Sequence, residues 1–171
     1  MKVTLRPLEP QDLDFLYATE NDTTIWHDSI TSVPYSRHTL ATYIATQASD
    51  IYADRQLRLI IQTDTCPEPV GIIDLYDFDP RNNHAQLGIV IAPQYRGKGI
   101  ASEAFRQIIS YSRDILHLHQ LYAVVSETNI HSTAALKKVG FQHTATLPDW
   151  FFDGKNHKKA LVLQKILQKV C

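Results

Sequence analysis

The segment of this sequence richest in chemistry runs Leu87-Gly88-Ile89-Val90-Ile91-Ala92-Pro93-Gln94-Tyr95-Arg96-Gly97-Lys98-Gly99-Ile100-Ala101. A β-rich run passes into Arg-Gly-Lys-Gly and then directly into a helical pattern. Glycines let the backbone turn so that successive N–H groups point into one concavity, and a helix N-terminus adds the positive end of its dipole. Arg96 and Lys98 add full positive charges at the same place. Together these features form a cradle for a pyrophosphate. Two common cradles are excluded by spelling. A Walker A loop needs G-x-x-x-x-G-K-[ST], which is absent. A dinucleotide fingerprint needs G-x-G-x-x-G, whereas Gly97, Gly99 and Ser102 give G-x-G-x-x-S, five residues beyond the end of the strand.

The spacing Gln94-x-x-Gly97-x-Gly99 after a strand resembles the coenzyme A motif of the GNAT N-acetyltransferase family. Pro93 before the loop, Ile100-Ala101 after it, and Asn129, Ser132 and Lys138-Val139-Gly140-Phe141 further on resemble the same family, as does the opening Leu5-Arg6-Pro7-Leu8 with Asp12-Leu13. The likeness spans nearly the whole chain. Trp150-Phe151-Phe152-Asp153-Gly154-Lys155 and Tyr35 after Pro34 place it nearest the ribosomal-protein and spermidine acetyltransferase branch. This resemblance implies acetyl-CoA as cosubstrate, held by Gln94, Arg96, Gly97, Lys98, Gly99, Ile100 and Ala101. It implies that Asn129 and Ser132 face the pantetheine arm, although Asn129 also fits a helix N-cap. It also implies that Gly88-Ile89-Val90 offers backbone N–H groups to the acetyl carbonyl, with a bulge at Gly88 freeing one of them. The expected reaction is direct acetyl transfer to a primary amine of a polyamine, a small molecule or a protein. Many relatives dimerise, and the apolar stretch from Ala160 to Leu167 suits a homodimer.

Two positions depart from the family pattern. A tyrosine commonly acts as general acid seven residues after the motif asparagine, and Leu136 stands there. A glutamate common on the strand before the loop is replaced by Gln86. Neither role transfers. A thiol with a pKa near ~8.5 still leaves tolerably as thiolate near neutral pH. Candidate carboxylates are Asp74 and Glu127. Asp74 lies between Ile73 and Leu75 in an apolar strand, where an unpaired charge is costly, and is expected to recruit a cationic amine. His27 and Asp28 lie in the connection that the family uses for acceptor recognition. A catalytically silent acyl-CoA-binding module is the rival reading, and a protein for another nucleotide ranks third. His117-x-His119 lacks partners at ligand spacing, so no metal is expected.

The elements that must position these residues follow from periodicity. Strands are expected at 2–8, 57–61, 70–76, 85–92, 121–126, 142–152 and 158–167. Helices are expected after Pro10, over 36–55, over 100–116 and over 130–139, with Gly140 as the C-cap. Residues 65–69 read as a turn and 79–83 as a hairpin loop. The order β-α-α-β-β-β-α-β-α-β-β predicts an α/β (α+β) fold. Its mixed, mostly antiparallel seven-stranded sheet is flanked by helices and has one βαβ crossover between residues 85 and 126. The length of 171 residues and the absence of a linker predict one domain over 1–171. Lysine and arginine total 17 against 18 acidic residues, without the basic excess of a nucleic-acid binder. No apolar run reaches the ~20 residues of a membrane span. With two cysteines and no secretory pattern at the N-terminus, a cytoplasmic setting is expected.

Overall fold

In a computed structural model, the structure describes residues 1–26 and 32–167. The strands are β1 (Val3–Pro7), β2 (Leu57–Thr63), β3 (Cys66–Asp79), β4 (His84–Ile91), β5 (Gln120–Ser126), β6 (Gln142–Phe152) and β7 (His157–Ile166). The helices are α1 (Leu13–Glu20), α2 (Arg37–Thr46), α3 (Ile51–Asp54), α4 (Ile100–Asp114) and α5 (Ile130–Lys138). The seven strands form one sheet in the order β1-β2-β3-β4-β5-β7-β6. Every neighbouring pair is antiparallel except β4–β5, which α4 bridges.

Alternation along the strands assigns each face its cover. Ile61, Ile73, Leu75, Leu87, Leu121 and Leu163 point to one side and pack with Ile100, Ala104, Phe105 and Ile108 of α4. Ile60 and Ile72 point to the other side, against Leu16 of α1 and Leu40 of α2. Arg58, Asp74, Tyr76, Gln86 and Gly88 share the parity of Ile60 and Ile72, and so lie on the α1/α2 side of the sheet.

Two expected boundaries differ. The helix expected over 36–55 is broken. α2 ends at Thr46, Ser49 takes a positive φ of 53°, and Asp50 starts α3 by accepting a hydrogen bond from the Tyr52 N–H. The turn expected at 65–69 shrinks to Asp64-Thr65, and β3 begins at Cys66. Pro67 and Pro69 are tolerated there because the β2–β3 register breaks between Ile61↔Gly71 and Thr63↔Cys66, leaving residues 67–70 without a β2 ladder partner.

Candidate active site

β4 and β5 pair only over His84↔Gln120, Ala85↔Leu121 and Gln86↔Tyr122. Beyond this point β5 continues beside β7 as far as Ser126↔Ala160, and β4 continues beside β3 as far as Ile91↔Gly71. The two strands therefore splay into a gap lined by unpaired backbone. The groups of β4 that face the gap follow from register. The Ala92 N–H donates to the Val70 carbonyl at 3.0 Å, and the β3–β4 register is unbroken from Gln86 to Ile91. Antiparallel hydrogen bonding alternates, so the N–H groups of Gly88 and Val90 point to β3 and that of Ile89 points into the gap. The Ile91 carbonyl shares that outward direction and accepts the Arg96 Nε–H at 2.9 Å. The expected bulge at Gly88 is therefore absent: the β3–β4 register shift lies between Tyr76 and Asp79. Splaying, rather than bulging, frees the Ile89 N–H.

The loop after β4 makes a single 3-10 turn over Pro93–Tyr95 and enters α4 through Gly99. Gly97 and Gly99 have φ of 74° and 80°, and a Cβ on either would meet nothing within 4 Å. An L-residue there costs about 1–2 kcal/mol. Gly99 is the N-cap and gives α4 no side-chain cap, so the first N–H groups of a 15-residue helix stay open to an anion. Gln94, Arg96 and Lys98 are exposed around this loop. Lys98 Nζ lies 5.3 Å from the centre of the Tyr95 ring. Ile100 is 1% exposed, so only its backbone is available to a ligand; Ala101 is half-buried. The open, uncapped and cationic character of this loop fits a pyrophosphate. Across the gap Asn129 caps α5, its Oδ1 accepting from the Ser132 N–H at 3.1 Å.

Both candidate carboxylates have partners within the fold. Asp74 is not unpaired. Its two oxygens accept from Arg58 Nε and Nη2, each at 2.8 Å, and a further Arg58 N–H donates to Glu20. Burial opposes charge on Arg58, but Asp74 and Glu20 outweigh it and hold the guanidinium pKa above its ordinary value. Glu127 is exposed at the end of β5, where its Oε1 accepts from the Lys159 N–H at 3.0 Å. Asp74 and Glu127 are thus both engaged by the fold. His27 and Asp28 lie outside the described residues. Asn21, at the end of α1, is tied to Tyr35, its side chain accepting from the Tyr35 N–H at 2.7 Å and donating to the Tyr35 carbonyl at 3.0 Å. Trp150 and Phe152 are exposed on the edge strand β6. Among the described residues no group of His, Cys, Asp and Glu is placed to hold a metal ion, and no helix is long and apolar enough to cross a membrane.

Sequence reasoning missed two groups on the α1/α2 side of the sheet. Arg58 is the cross-strand partner of Asp74. The Tyr76 hydroxyl accepts from Gln86 Nε2 at 2.8 Å. Burial, reinforced by the charges of Asp74 and Asp77, holds the Tyr76 phenol well above the usual tyrosine range.

A parallel strand pair that opens beside a glycine loop, with an uncapped helix behind that loop, defines a transferase that takes its acyl group from a coenzyme A thioester. Residues 2–142 match the acetyltransferase (GNAT) domain family, and the chain belongs to it. It is an acetyl-CoA-dependent N-acetyltransferase. The spermidine N(1)-acetyltransferase of Escherichia coli K12 is 27% identical over 168 residues, covering 93% of this chain and 83% of the relative. A putative ribosomal N-acetyltransferase of Bacillus subtilis is 30% identical over 100 residues, covering 58% of this chain and 54% of its own length. The crystal structure of spermidine N-acetyltransferase from Vibrio cholerae in complex with CoA and spermine superimposes with a TM-score of 0.85 at 25% identity. It covers 98% of this chain and 96% of that one.

Proposed function

We propose that the acceptor is a polyamine-like primary amine and that the acyl group is presented in the gap between β4 and β5. The observation that carries the second part is the outward Ile89 N–H at the mouth of a gap that the open loop 96–101 closes. In this reading loop 96–101 holds the pyrophosphate, with Gln94 beside it and the terminal N–H groups of Arg96 directed to the same anion. Asn129 and Ser132 line the pantetheine side, and Gly88-Ile89-Val90 forms the floor beneath the thioester. The bound thioester supplies an electrophilic carbonyl: a C–N bond forms as the C–S bond breaks, CoA leaves as the thiolate and takes a proton from solvent, and the attacking amine releases its proton to solvent. The Ile89 N–H holds the carbonyl oxygen where negative charge develops, the kind of contact whose loss commonly lowers kcat about a hundredfold or more.

The amine arrives from the α1/α2 side. There Glu20 and Asp74 flank Arg58, with Asp77 close by, and these carboxylates attract a cation carrying several charges. Asp74 serves by charge, through a cluster whose arginine already occupies both of its oxygens, and is not assigned as the base. His27 and Asp28 are proposed contacts for the acceptor. The polyamine assignment is further supported by the spermidine enzymes of Escherichia coli and Vibrio cholerae. The stretch Ala160 to Leu167, expected to suit a homodimer, is flanked on both sides by β5 and β6 and offers no free edge. Self-association is therefore proposed through edge strand β6 with its exposed Trp150 and Phe152; a dodecameric structure is known for the Vibrio cholerae enzyme. The proposed setting is the cytoplasm, where Cys66, a free thiol, stays reduced.

The test is thiol release from acetyl-CoA with a panel of acceptors: spermidine, spermine, a simple alkyl monoamine and a peptide with a free N-terminus. The polyamine reading expects the highest kcat/KM with spermidine or spermine, and a steep fall in it with added salt. A monoamine or peptide that matches the polyamines overturns it.

A further inference from the structure

The family position for a proton-bearing phenol is filled here by Leu136, which is 3% exposed and has no proton to offer. A phenol does stand at the gap, on a different strand. Tyr76 of β3 pairs with Gln86 of β4, and its ring leans diagonally over Gly88. A Cβ built on Gly88 would lie 3.0 Å from Tyr76 Cε1 and 3.7 Å from the hydroxyl oxygen. Glycine at 88 is therefore what lets the phenol lie flat against β4, one residue from the outward Ile89 N–H.

The hydrogen-bond inventory of this hydroxyl is one-sided. It accepts from Gln86 Nε2 at 2.8 Å, and its own hydrogen has no acceptor among the described residues. A hydroxyl that accepts from an amide is polarised to donate more strongly. Burial of the phenol, reinforced by the negative charges of Asp74 and Asp77, keeps the proton in place. Gln86 sits between Tyr76 on β3 and Tyr122 on β5, at the last paired row before the strands separate.

We propose that Tyr76 is a catalytic residue whose hydroxyl donates to the acetyl carbonyl oxygen beside the Ile89 N–H, and that Gln86 is the positioning residue that aims it. No proton is transferred: the phenol stabilises the charge that gathers on the oxygen and keeps its hydrogen throughout. The assignment rests on the acyl group lying in the β4–β5 gap. It also gives Gln86 a reason to be an amide. A glutamate there accepts the phenolic hydrogen and withdraws the donor.

The experiment uses the whole chain with acetyl-CoA carrying a carbon-13 carbonyl, read by infrared difference spectroscopy alongside steady-state kinetics for the wild type, Tyr76→Phe and Gln86→Glu. In the wild type the carbonyl band moves to lower frequency on binding. In Tyr76→Phe it moves back up and kcat falls about a hundredfold, while acetyl-CoA affinity and Tm change little because the ring is kept. Gln86→Glu follows Tyr76→Phe in both readouts, whereas Gln86→Leu loses less. A band that does not move in Tyr76→Phe overturns the carbonyl contact whatever kcat does, because a donor to another atom leaves the carbonyl unchanged. Absence of any bound acetyl-CoA band in the wild type overturns this assignment and the placement of the acyl group together, so the two failures are distinguishable.

Discussion

Replacing Arg58 by methionine removes the cation that joins β2, β3 and α1 on the amine-facing side of the sheet. The variant keeps the aliphatic stem and loses the two hydrogen bonds to Asp74 and the one to Glu20. The Arg58 and Asp74 side chains are only 22% and 23% exposed, so the stranded carboxylate recovers little hydration. Removing one partner of a buried ion pair costs about 3–5 kcal/mol, and partial access to water argues for the lower end. A domain of this length loses roughly 2–4 °C of Tm per kcal/mol, so the expected drop is about 6–12 °C. Thermal unfolding followed by far-UV circular dichroism measures it. The penalty is electrostatic, so it shrinks as acid neutralises the stranded carboxylate. The double variant Arg58→Met/Asp74→Leu, which removes both charges, regains much of the loss. A drop below about 2 °C, or a double variant less stable than Arg58→Met, refutes the reasoning.

Three other outcomes follow from the geometry. Valine at both Gly97 and Gly99 forces β-branched residues toward φ of 74° and 80° at about 1–2 kcal/mol each. Calorimetry is expected to show acetyl-CoA affinity falling at least tenfold, about 1.4 kcal/mol. Asp12 is 1% exposed and paired with Arg6 at 2.7 Å. Burial pushes its carboxyl up, but the Arg6 hydrogen bonds and the Glu9 N–H outweigh that and leave it below the ordinary value. Its folded pKa is depressed, so its contribution is complete above about pH 4 and disappears as pH falls through the folded value. Asp12→Asn is expected to cost stability at neutral pH and to converge with the wild type in acid unfolding. Burial and nearby carboxylates raise Tyr76, so kcat is expected to show no alkaline loss below about pH 10 that Tyr76→Phe abolishes.

Local chemistry was legible in the sequence wherever one stretch of chain carries it. The Arg96-Gly97-Lys98-Gly99 loop announces its turn and charge through residue type, and the apolar, β-rich runs at 85–92 and 121–126 mark the two strands that form the gap. The opening between them was implied only by family resemblance, because it depends on β4 following β3 while β5 follows β7. That long-range register leaves no local pattern. Arg58 was hidden for a similar reason. The β2–β3 hairpin closes at Thr63↔Cys66, and regular pairing from there sets Arg58 opposite Gly71. The irregularity between Ile61 and Thr63 slides it to Asp74 instead. The break between α2 and α3 was carried by Ser49-Asp50, whose apolar neighbours Ala48 and Ile51 continue a helical stripe across it. Nothing local in the sequence singles out Tyr76, because its place at the gap depends on the missing side chain of Gly88 on the neighbouring strand.

Presentation of the acyl group in the β4–β5 gap is tested by residue-resolved amide hydrogen exchange at Ile89, measured by NMR with and without acetyl-CoA. The Ile89 amide is expected to exchange freely in the unliganded protein, while those of Gly88 and Val90 are protected by β3. Saturating acetyl-CoA then slows Ile89 strongly and leaves its two neighbours nearly unchanged. An Ile89 amide already protected without ligand, or one that still exchanges freely when acetyl-CoA is bound, contradicts it.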